Sequence, residues 1–222
     1  MNKKILEINN LYKTYEKDET PALNDLSLSL DEGKIYALIG SSGCGKSTLL
    51  NIIGTLDTYD KGDIYFEGNN YEKIDSQSNF RLKNIGFVFQ FHHLIPTLTL
   101  QENVEAAMID LKVIKKATQL LDTLGLKLKK NTLASKVSGG EKQRTAIVRA
   151  LINEPKLVLA DEPTGNVDSK TTKLILNELS NFIKKEKKTI LIATHDLEVA
   201  RFADVILEMS DGKIISIKNN KD

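Results

Sequence analysis

The sequence predicts an α/β fold: a parallel sheet, an antiparallel β flank and an inserted helical subdomain. Three observations point there. Four short, nearly continuous apolar runs, "KIYALIG" (34–40), "NIGFVFQ" (84–90), "KLVLADE" (156–162) and "TILIATH" (189–195), read as strands buried on both faces. Amphipathic stretches at 45–56, 140–153 and 170–186 separate them at helical spacing, as in βαβ units. Residues 4–15 and 23–30, as in "LNDLSLSL", alternate apolar and polar instead, which suits antiparallel strands wet on one face.

The remaining segments fit around that frame. "VILEMSDGKIISI" (205–217) reads as a hairpin, with Asp211-Gly212 as a two-residue turn. "IKKEKK" (183–188) reads as the solvated end of a helix, where lysines suit the dipole. Residues from about 91 to 136 carry two neighbouring histidines, then Pro96, then helical stretches such as "KKATQLLDTLG". They predict a helical subdomain inserted in a single domain of 222 residues, with 1–90 and 137–222 forming the α/β core and its flank.

Composition excludes several classes. A net charge of +1 gives no electrostatic reason to expect nucleic acid or a lipid surface as partner. The one cysteine, Cys44, leaves no internal disulfide to form and fits a reducing compartment. Met1 leads directly into the polar "NKKILEINN", so no secretory signal is expected. Nowhere do about eighteen apolar residues run together, the length a membrane span needs.

"GSSGCGKST" (40–48) satisfies G-x-x-x-x-G-K-[ST] between a predicted strand and a predicted helix. Glycines let successive backbone N–H groups turn onto phosphate oxygens, and the helix presents its positive end to the same anion. This is a P-loop, so the core is expected to be that of a P-loop NTPase. Gly40, Ser41, Ser42, Gly43, Cys44, Gly45, Lys46, Ser47 and Thr48 are the candidate phosphate contacts. Lys46 would reach the β- and γ-phosphates, and the Ser47 hydroxyl would hold Mg²⁺. Cys44 reads as a small tolerated side chain rather than a catalytic one.

Asp161 and Glu162 end the strand of "LVLADEP", the sheet edge where ligands sit in open α/β folds. Adjacent carboxylates repel, so they need a cation or separate tasks. Asp161 would hold Mg²⁺ and Glu162 would act as general base on the attacking water. Gln90 ends "GFVFQ", where a neutral amide can touch Mg²⁺ or the lytic water; it is equally a plain strand-end polar residue. His195 ends "LIATH" and is a structural histidine or a γ-phosphate contact. Tyr15 lies in the strand before the cradle and either packs or stacks on adenine. If it stacks, Tyr15→Phe, which keeps the π-face, is expected to be nearly silent.

A second glycine pair needs its own explanation. In "VSGGEKQR" (137–144), Ser138 and Glu141 fit a capping box, S-x-x-E, before a helical run. The same helix start, Ser138-Gly139-Gly140, can also bind phosphate. Separated from the first cradle by the helical insertion, it would meet a nucleotide held by another molecule. Two chains, head to tail, would then bury two nucleotides at their interface.

The order "GSSGCGKST", Gln90, "VSGGEKQR", "LVLADE", "NVD" and His195 resembles the nucleotide-binding subunit of ATP-binding cassette (ABC) transporters, over nearly the whole chain. The resemblance implies ATP and Mg²⁺ as cofactors, with Tyr15 as the adenine-stacking aromatic and Gln90 as the Q-loop residue. It implies Asp168 as the D-loop aspartate and His195 as the switch histidine. "VSGGE" is similar to the family signature that caps ATP on the partner chain, with Val137 where leucine is usual and Glu141 where glutamine is commonest. "NIIGTLD" (51–57), "HLIPTLTLQENV" (93–104) and "PTGNVD" (163–168) are similar to the lipoprotein-release and macrolide or antimicrobial-peptide efflux branch. The stretch from Glu102 to Ser138 is shorter than usual there.

The expected protein is therefore an ATPase that dimerises with ATP and powers a separate integral membrane permease. It would touch the permease through about residues 91–103, on the inner face of the cell membrane. The rivals are a soluble ABC-type ATPase uncoupled from transport, a P-loop kinase and a non-catalytic cassette. The first usually carries two cassettes or a coiled-coil insertion, which this chain lacks. The signature stretch and switch histidine speak against the kinase, and intact Lys46, Glu162 and His195 against the non-catalytic cassette.

Overall fold

The computed structural model describes residues 3–16, 19–110, 114–165, 167 and 169–220. In chain order they form β1 (Lys4–Lys13), β2 (Leu23–Asp31), β3 (Ile35–Ile39), α1 (Lys46–Ile53), β4 (Lys61–Phe66) and β5 (Asn69–Asn70). There follow α2 (Gln77–Asn84), β6 (Ile85–Val88), α3 (Leu100–Glu105), α4 (Ile114–Thr123), α5 (Gly139–Leu151) and β7 (Leu157–Asp161). The chain ends with α6 (Ser169–Glu186), β8 (Thr189–Ala193), α7 (Leu197–Phe202), β9 (Val205–Ser210) and β10 (Lys213–Asn219).

Two sheets form. The larger runs β10-β9-β3-β8-β7-β6, parallel except for β10, and the smaller is the antiparallel β2-β1-β4-β5. The four apolar runs are the parallel strands β3, β6, β7 and β8. Their continuity has a direct cause, because both faces are covered. In β7, Leu157 and Leu159 join the core shared with α1 and the antiparallel sheet, while Val158 and Ala160 join the core under the helices. β8 divides in the same way, Leu191 and Ala193 against Ile190 and Ile192. Helix α1 lies between the two sheets and buries Leu49, Leu50, Ile52 and Ile53. The predicted hairpin is β9-β10, and Asp211 (φ 48°) and Gly212 (φ 75°) give the two left-handed residues of its turn.

The flank is larger than sequence alternation alone predicts. Strand β4 pairs with β1, and Glu67 (φ 48°) and Gly68 (φ 78°) turn it tightly into β5. Helices α2 and α7 also went unpredicted. α2 fully buries none of its residues and meets the core chiefly through Phe80, too little for a readable apolar stripe, and α7 is only six residues long. Between residues 91 and 136 the described chain makes α3, α4 and a 3₁₀ turn at Ala134–Lys136, with a single bridge pairing Thr99 and Leu133. Val104, Ala117 and Leu121 of these helices share a core with Ile147 and Val148 of α5.

Candidate functional site

The loop from Gly40 to Gly45 carries the chain from the C-terminal end of β3 into α1, and Gly40 and Gly45 are sterically required. A Cβ on Gly40 would stand 2.2 Å from the Met209 carbonyl oxygen. One on Gly45, at φ +104°, would stand 2.3 Å from that of Ala22. Gly45 caps α1 without any side-chain hydrogen bond, and the first turn holds no acidic residue. The helix therefore offers its N–H groups and its positive end to an anion. Lys46 Nζ donates to the carbonyls of Gly40 and Ser41, both at 2.8 Å, which poises the ammonium across the loop. Cys44 turns into the core and is nearly fully buried.

A cavity of about 720 Å³ opens above this loop, within the range of small-molecule sites. It is lined by residues 40–43 and 45–48, by Tyr15 and Ala22, and by Gln90, Asp161, Glu162 and His195. The last four follow from sheet topology. β6, β7 and β8 lie side by side and parallel, so the residues at or just past their C-terminal ends share one edge.

The two carboxylates are held differently. Asp161 is drawn above its ordinary value, first by burial and also by the neighbouring charge of Glu162, while the Ser47 hydroxyl donating to it and the Lys46 charge pull the other way. Glu162 takes a left-handed backbone, φ 45°, uncommon for a non-glycine residue. Its N–H donates to the Ala193 carbonyl at 2.9 Å. Oε1 accepts from the His195 backbone N–H at 3.1 Å and lies 2.7 Å from His195 Nδ1. Oε2 accepts from the Thr194 hydroxyl at 3.2 Å. The glutamate side chain is 13% exposed and that of His195 is 76% exposed.

The donor set fits ATP with Mg²⁺. Among the described residues no three His, Cys, Asp or Glu side chains cluster to hold a metal. Mg²⁺ needs no such cage when one carboxylate, one hydroxyl and substrate phosphates complete its shell. Asp161 and Ser47, already bonded to each other beside Lys46, are a carboxylate and a hydroxyl of that kind.

The second glycine stretch lies outside the cavity. Ser138, Gly139, Gly140 and Glu141 do not line it, and Ser138 and Gly139 are exposed at the start of α5. Both halves of the capping box are made: Ser138 Oγ accepts from the Glu141 N–H at 3.3 Å, and the Ser138 N–H donates to Glu141 Oε2 at 2.8 Å. That Ser138 N–H, with the Ser138 hydroxyl, holds the Glu141 carboxyl below its ordinary value of 4.5, against the opposing pull of partial burial. A group with a lowered folded-state pKa contributes stability above its unfolded value and loses it as pH falls through the folded value. Glu141→Ala should therefore cost about 1 kcal/mol in urea denaturation at neutral pH. The difference from the parent should shrink as pH drops below 4.5. A penalty that stays constant with pH would assign it to packing instead. Asp168 lies outside the described residues.

Several site residues carry no sequence signal. Thr194 and Ala22 match no motif. Arg149 of α5 donates to the carbonyls of His93 (2.5 Å) and His92 (2.7 Å), both left-handed at φ 48° and 63°. It ties the helix that begins at Ser138 to the segment that follows Gln90.

The comparisons with known proteins agree with this geometry. A family model described as "ABC transporter" matches residues 23–165, more than half of the chain. The dimeric ATP-binding cassette MJ0796, in a post-hydrolysis state bound to ADP and Pi, superposes with a TM-score of 0.90 at 36% identity, over 98% of this chain and 99% of that one. The cassette cbiO1 from Clostridium perfringens, part of the ABC transporter complex cbiONQ, superposes at 0.87 and 28% identity, over 99% and 90%. The chain is an ATP-binding cassette of the ABC transporter family, and an ATPase.

Proposed function

We propose that this cassette powers a separate integral membrane permease through ATP-driven homodimerisation at the inner face of the cell membrane. We read its task as export or release of a peptide, antibiotic or lipid-like substrate. The observation that carries the dimer is Gly140 in the first turn of α5. A Cβ on Gly140 would meet nothing nearer than 3.6 Å, and neither Gly139 nor Gly140 has a positive φ. Glycine costs a helix up to about 1 kcal/mol relative to alanine. Among the described residues nothing requires that cost at Gly140, so close approach from outside would explain it. The nucleotide of a second copy meets that need, since the dimeric cassette MJ0796 superposes over nearly its whole length.

Each residue then has a task. The 40–48 loop and Lys46 bind the phosphates, and Tyr15 faces the base. Ser47, Asp161 and Gln90 hold Mg²⁺, which supplies charge neutralisation at the phosphates. Glu162 accepts the proton of the attacking water. His195, exposed and hinged on that carboxylate, orients it and reaches toward the γ-phosphate. Ser138, Gly139, Gly140 and Glu141 close over the partner's ATP, with Asp168 beside the interface. Phosphate release from ATP, requiring Mg²⁺ and rising more than linearly with protein concentration, is the expected behaviour. Activity strictly proportional to protein concentration would contradict the shared site.

Among the described residues no helix is long and apolar enough to cross a membrane. The permease contact expected at about residues 91–103 has Phe91 at its start, 74% exposed. Beside it runs an apolar groove of about 390 Å³ lined by Leu56, Leu82, Phe87, Phe89, His93 and Arg149, among others. We place the permease there. Through Arg149, a load on this groove reaches the helix that begins at Ser138, and through Phe89 it reaches Gln90. Leu82→Asp should abolish co-purification of an integral protein from detergent-solubilised membranes while the isolated subunit keeps its ATPase rate. Undiminished co-purification would move the contact elsewhere.

A further inference from the structure

Asp57, the last residue of "NIIGTLD", stands between the adenine side of the cavity and the far end of α1. Its backbone N–H donates to the Asn51 carbonyl at 3.3 Å, just beyond the helix, and its Oδ1 accepts from the Thr58 N–H at 2.7 Å. The carboxylate is therefore fixed by the chain that bears it. Its Oδ2 accepts from the Tyr15 hydroxyl at 2.7 Å. Lys13 completes the group: its Nζ lies 3.4 Å from Asp57 Oδ1 and 5.0 Å over the Tyr15 ring, on a side chain only 9% exposed. One face of the ring is thus taken by a cation, and a base can take only the other.

We propose that Asp57 is a positioning residue for adenine: it holds the Tyr15 hydroxyl so that the ring presents its free face to the cavity. The inference rests on the reading of Tyr15 as the base contact. Burial pushes the Asp57 carboxyl up, but the Tyr15 hydroxyl, the Thr58 N–H and the Lys13 charge together outweigh it and hold the group low, so it is an anion at neutral pH. A hydroxyl-to-carboxylate hydrogen bond is of the stronger, charge-assisted kind. Tyr15 Oη also lies 3.4 Å from Thr48 Oγ1, in the first turns of α1. Phosphate cradle and base platform are therefore tied to the two ends of one short helix, so bound phosphate and bound base are held in a fixed relation. Tyr15→Phe, expected from sequence to be silent because it keeps the π-face, instead removes the tether.

The test uses the full chain with Mg²⁺ and two probes, ATP and inorganic tripolyphosphate, which has no base. Tyr15→Phe and Asp57→Asn should each weaken ATP about three- to tenfold, the scale of one hydrogen bond. Both should leave tripolyphosphate affinity at the parent value. The double variant should be little worse than the weaker single one, because both substitutions break the same contact. Asp57→Asn also disturbs Lys13 and Thr58, so a lowered melting temperature there would be unsurprising. Tyr15→Phe keeps the Asp57 carboxylate with Lys13 and Thr58, and gives up the hydroxyl's bond to Asp57 and its longer contact with Thr48. ATP affinity in Tyr15→Phe equal to the parent's overturns the inference, as does an equal loss for tripolyphosphate. Tyr15→Ala separates the two levels. If it weakens ATP while Tyr15→Phe does not, only the positioning role fails. If it too leaves ATP unchanged, the base contact itself is wrong.

Discussion

Glutamine at position 162 should still bind ATP and lose about 10²-fold or more of its turnover, the scale of a general base. The geometry makes this a clean substitution. One oxygen of Glu162 accepts from the His195 N–H, and the amide oxygen of glutamine can do the same. The other accepts from the Thr194 hydroxyl, and there an amide nitrogen can donate to the same oxygen. The left-handed backbone that aims the side chain is anchored by the N–H of residue 162 on the Ala193 carbonyl, which the change leaves alone. Shape and position persist, and basicity goes. Phosphate release under saturating ATP measures the fall. Turnover within a few-fold of the parent would remove Glu162 from the base role.

Aspartate at Gly139 should leave each subunit folded and able to bind ATP, yet abolish hydrolysis. Gly139 is exposed and starts α5, where an acidic residue suits the helix dipole. The bound chain is therefore spared. In the closed dimer, however, the new carboxylate would face the partner's γ-phosphate in a water-poor gap, where like charges repel strongly. Calorimetry should report ATP affinity near the parent's while the hydrolysis rate falls to background. Normal hydrolysis by Gly139→Asp would reduce Ser138-Gly139-Gly140 to a helix cap.

What the sequence revealed follows from where each signal resides. Strands β3, β6, β7 and β8 were legible as parallel because they are apolar almost throughout, whereas β9, also parallel, carries Glu208 and alternates in burial. The phosphate cradle was legible because its chemistry lies in nine consecutive residues, with Gly40 forced by the Met209 carbonyl, Gly45 by that of Ala22 and Gly43 by its left-handed backbone. Asp161, Glu162, Gln90 and His195 were found as strand ends, since a parallel sheet gathers such ends at one edge. Helix α2 was missed because it fully buries no residue and packs on the core chiefly through Phe80, and β5 because it is two residues long. Thr194, Asp57 and Arg149 were out of reach for a different reason. Each acts through a partner remote in sequence: Thr194 on Glu162, Asp57 on Tyr15, and Arg149 on the carbonyls of two histidines. Such pairings exist only once the strands and helices are in place.

The shared nucleotide site is tested most directly by the mass of the Glu162→Gln protein in solution with and without ATP and Mg²⁺, measured by light scattering behind gel filtration. A single chain is 24.8 kDa. With hydrolysis blocked and the signature intact, that mass should double on adding ATP and return when ATP is removed. Adding Gly139→Asp to the same protein should hold it at the single-chain mass, although ATP still binds. If the double variant dimerises with ATP as readily as Glu162→Gln alone, the two glycines do not meet the partner's nucleotide and the site is complete within one chain.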